Sequence, residues 1–208
     1  MKWKDPQVID NIVLLENLGD VACEAAVLEL YEKSRAALNA SDYFSLPYPL
    51  TRIRYAGFIL TSLALSEALA DLLATNPEGI SDNLKYLMTF GPERGASDLA
   101  EDRAILVEIS EAVNAVVDKH GAILLPTAPQ AAFDHADKAP ANQADFTCLA
   151  NIAGLPAISI PAGWAGDGLP VGVQLVGAAG NESGLLQLAK KLDGQLSAYR
   201  KPALFYGK

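Results

Sequence analysis

Apolar and polar positions follow two rhythms along this chain, and the change falls at Gly121. Before it, apolar residues recur every three or four positions, the spacing of helices with one buried stripe. Asp5-Pro6 offers an N-cap followed by proline at the first helical position, and predicts a helix over 5–18 that Gly19 stops. Asp20 is placed to cap a second helix reaching about residue 38. Two prolines in SLPYP, 45–49, predict a loop. A third helix is expected over 51–74; it is apolar nearly all round between Ala56 and Leu65, as a helix buried on most sides would be. Ser81 caps a short helix closed by Gly91-Pro92, and Ser97 caps another with the stripe Leu106, Ile109, Val113 and Val116.

After Gly121 the apolar residues come in short unbroken runs ended by proline or glycine: AILLP, AISIP and VGVQLVG. Such runs suit strands buried on both faces. Between the first two, 145–153 reads as a short helix stopped by Gly154. Strand, helix, strand predicts a crossover onto a parallel neighbour. The dipeptide Asp167-Gly168 predicts a hairpin joining the second and third runs. Asn181 caps a last helix to about residue 192, with Lys190 and Lys191 at the end where the helix dipole favours cations. The fold class is α/β: a helical N-terminal half, 1–120, then the strands and helices of a mixed sheet, 121–208. Three strands are too few to cover their own faces, so the expectation is a large exposed apolar surface and an open strand edge.

Half of the 208 residues are hydrophobic and 20% are charged, enough to bury a core. The net charge of −9, with no basic cluster, speaks against nucleic acid and against an anionic membrane surface as partners. The longest apolar stretch, 55–65, is short of the ~20 residues that span a bilayer. MKWKDPQVID has no apolar core of a signal peptide, and Cys23 and Cys148 form no CxxC pair. Free thiols in a reducing, cytoplasmic setting are expected. No GxGxxG or P-loop points to a nucleotide, and no cofactor is implied.

The runs PTAPQAAF, DFTCLANIAGLPAISIPAG and DGLPVGVQLVG, followed by a leucine-rich helix, resemble the C-terminal end of amidase-signature enzymes, in the family's order over about seventy residues. YAGFIL and NLKYLMTFG upstream look like the family's variable middle. The family includes the glutamine-hydrolysing component of tRNA-dependent amidotransferases, the glutamyl-tRNA amidotransferase type among them. The resemblance implies an amide hydrolase and, for 1–208, a single partial domain of the amidase-signature fold. The family's chemistry uses a glycine/serine-rich loop, a nucleophilic serine, a bridging serine and an upstream lysine. The sequence contains no GG, GS or SS dipeptide, so no catalytic role is carried onto any residue. Two consequences stay open. The chain is inactive alone or completed by a complementary N-terminal half, taking a small amide substrate only when completed; or it is a non-catalytic binding or scaffold module that retains part of the fold. Self-association is the other way to cover its apolar surface.

The resemblance places 141–151 at the substrate cleft, with Gln143, Asp145, Thr147 and Asn151 as polar pocket candidates. Asp145 and Thr147 equally suit helix capping, and Asn151 a backbone hydrogen bond. Elsewhere the chemistry-bearing residues read as bland. His120 ends a helix. His135 sits in a polar loop with Asp134 and Asp137, where no distant ligand converges to hold a metal. Glu101/Asp102 and Glu108/Glu111 read as charged outer helix faces.

Overall fold

The computed structural model describes residues 5–201. Its core is a five-stranded mixed sheet in the order β2-β1-β3-β5-β4. The last three strands lie where the apolar runs place them: β3 (Ala122–Pro126), β4 (Ala157–Trp164) and β5 (Pro170–Gly177). β4 and β5 form the antiparallel hairpin that Asp167-Gly168 predicts. β3 pairs antiparallel with β5, so β5 sits between β3 and β4. The short helix α6 (Cys148–Ala153) therefore carries the chain over one strand, not onto an adjacent parallel one. Gly154 ends α6 at φ +66°, the left-handed cap that a glycine there suggests.

The N-terminal half departs from an all-helical reading. Residues 5–18 are not a helix; Ile12–Leu15 form the buried strand β1, parallel to β3. Asp42–Phe44 form β2, parallel to β1 on its other side. Four apolar residues satisfy either period, and pairing with two neighbours decides for the strand. β1 leads into a tight turn, Glu16–Asp20, in which Asn17, Leu18, Gly19 and Asp20 all have positive φ, between 48° and 61°. Leu18 adopts a conformation that costs a side-chain-bearing residue about 1–2 kcal/mol, and it buries its side chain there. Asp20 lies inside this turn and caps nothing; α1 (Ala25–Leu38) begins after Glu24.

The third predicted helix is two: α2 (Leu50–Ala68) and α3 (Ala70–Thr75), broken at Leu69. α2 buries only Leu50 and the stripe Ile53, Ala56, Ile59 and Ser62, so the expectation of burial all round does not hold. Ser81 does cap α4 (Asp82–Leu87), its hydroxyl accepting from the Leu84 N–H. α5 (Ala96–His120) starts after Gly95, not at a Ser97 cap, and its buried stripe is Asp102, Ile105, Ile109, Val113 and Val117. α7 (Glu182–Leu196) follows Asn181, whose side chain clasps the backbone of Gln7 instead of capping the helix.

β3 is buried along its whole length. α1 and α7 pack together over β3, β4 and β5, while α5 lies on β1 and β3 and carries α2 and α6. The run AISIP does not match its expectation of burial on both faces. It belongs to β4, an edge strand whose first three residues are exposed or half-exposed. Among the described residues no helix is long and apolar enough to cross a membrane.

Candidate functional site

Asp102 is fully buried, although the paired acids of α5 read as a solvated face. α2 crosses α5 and brings Arg52 Nη1 within 2.6 Å of its carboxylate; Arg94 reaches it from the turn before α5 with Nε at 2.8 Å. Burial alone would raise the Asp102 carboxyl, but the hydrogen bonds from Arg94 and Arg52 outweigh it and hold the carboxyl below its ordinary value of 3.8. Arg94 also lies over the Tyr55 ring at 5.4 Å. Glu101 stays at the surface and joins Arg52, and Glu108 accepts from the Tyr48 hydroxyl at 2.9 Å.

Two residues along α2, Arg54 turns to a different partner. It pairs with Asp145, which is 1% exposed, while the Thr51 hydroxyl donates to the other Asp145 oxygen at 3.4 Å. Asp145 belongs to the turns that precede α6, so this pair ties α2 to the segment 141–147. Arg54 thereby lines a cleft of about 730 Å³ between α2 and α6. Phe58, Leu60 and Leu65 of α2, Leu106 of α5 and Ile152 of α6 make its walls apolar. The size and the few polar groups in an apolar lining suit a small organic ligand.

Of the four predicted pocket residues, Thr147 and Asn151 line this cleft. Asp145 does not line it, but it pairs with Arg54, which does. Gln143 is exposed and does not line it. Thr147 makes no capping bond; its hydroxyl donates to the Ala144 carbonyl at 3.5 Å. Arg54 is absent from the sequence candidates, and its one signal is a cation, close after Arg52, flanking an apolar helical stretch. Cys148 also lines the cleft. Burial, with Asp145 adding to it, pushes its thiol up to about 12, so it is no thiolate at neutral pH.

The remaining sequence candidates stand apart. His120 ends α5 with Nδ1 3.0 Å from Asn11 Nδ2. His135 and its aspartates lie in an exposed loop, and among the described residues no group of three or more His, Cys, Asp or Glu side chains gathers to hold a metal. Both cysteines are free and half-buried.

Residues 9–186, which carry the sheet, the cleft and the Arg54–Asp145 pair, match the family model described as Amidase. The chain is a member of the amidase family. It is 35% identical over 230 aligned residues to the A subunit of glutamyl-tRNA(Gln) amidotransferase from Streptococcus equi subsp. zooepidemicus, covering 98% of this chain and 44% of that one. The same subunit of Brevibacillus brevis is 37% identical over 220 residues, covering 98% and 43%. Among solved structures, the Thermotoga maritima A subunit superposes with a TM-score of 0.67 at 25% identity, covering 88% of this chain and 41% of that one. A chain from a vestigial complex bearing on the origins of an s-triazine catabolic enzyme gives a TM-score of 0.78 at 22% identity, and shows the fold alone, over 91% and 44%. The chain thus spans less than half the length of these relatives.

Proposed function

We propose that this chain is the C-terminal portion of an amide hydrolase, one partial domain over 1–208, that binds the substrate in the α2–α6 cleft and relies on a complementary half for the serine–serine–lysine apparatus. The observation that carries the reading is Arg54, anchored by buried Asp145 in the lining of a mostly apolar cleft. A guanidinium has five donors, and Asp145 engages one face of Arg54. The other face can meet a carbonyl or carboxylate oxygen of an amide, with Thr147 and Asn151 alongside. Membership of the amidase family and coverage of under half of the relatives support the division of labour.

The test measures ammonia release from L-glutamine and from hexanamide. The chain is assayed alone and with the part of the Streptococcus equi subunit that precedes the shared region. The expected result is no turnover alone, turnover on mixing, and a loss of about tenfold or more in kcat/KM for Arg54→Ala in the mixture, the size of one removed charge-assisted hydrogen bond. Hydrolysis by the chain alone that a single Ser→Ala change abolishes would overturn the proposal.

A further inference from the structure

We propose that the outer edge of β4 is where the complementary half joins this chain, by adding a β-strand; this rests on the reading above that such a half exists. The two ends of the sheet are built differently. β2 closes one end with three residues and opens on Asp42, and short, charged edges are how proteins blunt an edge strand. β4 closes the other with the eight residues AISIPAGW, none of them charged, and among the described residues it pairs only with β5. Nothing in its sequence guards this edge except Pro161 and the register shift beside it.

A hollow lies on each side of that edge. Ile158 and Ser159 are consecutive, so they face opposite sides of the sheet. On the α7 side, Ile158, Leu186 and Tyr199, with Lys190 and Asp193, line a hollow of about 430 Å³. Leu186 and Tyr199 are 48% and 62% exposed. On the other side, Thr127, Gln130, Ser159 and Gly172 line a hollow of about 390 Å³. The Thr127 and Ser159 hydroxyls lie 2.7 Å apart there, and a Cβ on Gly172 would crowd both, at 3.0 and 2.9 Å. Gln130 Nε2 is buried with no hydrogen-bond partner among the described residues.

A strand laid along β4 sends its side chains alternately to the two faces. An apolar residue would fill the hollow at Leu186 and Tyr199, and its neighbour would offer an acceptor to Gln130 and the hydroxyl pair. Backbone pairing then supplies affinity, and alternating hollows supply specificity. The occupant is an extended segment of the complementary half, because the matched amidase folds are more than twice as long as the part this chain accounts for.

The test isolates the complex of the full chain with the preceding part of the Streptococcus equi subunit, and follows backbone hydrogen exchange. At least one amide among Ile158, Ser159 and Ile160 is expected to slow by about tenfold or more in the complex, while those of β2 do not change. Leu186→Glu and Tyr199→Glu, both at exposed positions, are each expected to weaken the complex about tenfold. A complex that leaves β4 exchange unchanged, or that tolerates both substitutions, would overturn the edge assignment and leave the two-part enzyme standing. No complex at all would overturn both. Slowed exchange in the chain alone that grows with its concentration would show a second copy on the edge, and would overturn the choice of occupant.

Discussion

α2 presents two arginines two residues apart to two buried carboxylates, and the two pairs do different things. At Asp102 both oxygens are taken by guanidinium groups from two different elements, and the cluster is closed between α2, α5 and the turn before α5. At Asp145 one oxygen holds Arg54 and the other only a threonine hydroxyl, and the arginine borders an open cleft. A buried ion pair is weak evidence for stability in itself, because desolvation offsets much of its attraction. What separates the two is where the remaining donors go. Arg52 and Arg94 also reach Glu101 and Asp98 and fix one helix against another, whereas Arg54 lines a cleft that suits a ligand.

The comparison is broken most directly by removing one charge from each pair. Asp102→Asn puts an NH₂ group against two guanidinium groups and leaves them only the surface carboxylates of Glu101 and Asp98 as counter-charges. The expected loss, read from chemical denaturation, is about 3–5 kcal/mol. Asp145→Asn keeps an acceptor for Arg54 and gains a donor for Thr51, so its loss is expected at about 1–2 kcal/mol. Its larger effect should fall on amide binding in the completed enzyme. Equal losses for the two would erase the distinction.

Acid sharpens it further. The Asp102 carboxyl is held below its ordinary value in the fold, so its contribution is fully present above 3.8 and lost as the pH falls through the lower folded value. The stability gap between the parent and Asp102→Asn should be flat from about pH 8 to 5 and close only below about 4. The smallest effect concerns Cys148. With its thiol pushed up to about 12, alkylation by N-ethylmaleimide at pH 7 should be far slower than for an unfolded-chain cysteine, and an amide bound in the cleft should slow it again.

How much of this is legible in the sequence follows how local each feature is. β3, β4 and β5 can be read because unbroken apolar runs are ended by Pro126, Gly163 and Gly177, and Gly154 marks its own cap. β1 cannot, because IVLL is too short to show a period; its strand character comes from partners 29 and 110 residues away. The same holds for charge. Asp102 sits among acids that read as surface, and only the crossing of α2 over α5 discloses its arginines. In the cleft, Thr147 and Asn151 follow from their motif. Gln143, from the same segment, faces solvent, and Arg54 is hidden because Asp145 lies 91 residues further along.

The pairing of Ile12 with Ala122 has a consequence for how the chain reaches this fold. β1 leaves the ribosome with its principal partner still more than a hundred residues short of synthesis. Closing a loop of that length has an entropic cost that rises only as the logarithm of length, but it must be met before the contact yields anything. The hairpin of β4 and β5, with eight residues on each side of a short turn, faces no such delay. Folding of the sheet is therefore expected to run against the order of synthesis. The C-terminal hairpin assembles first, and β1, paired with β2 across only 29 residues, docks on β3 last.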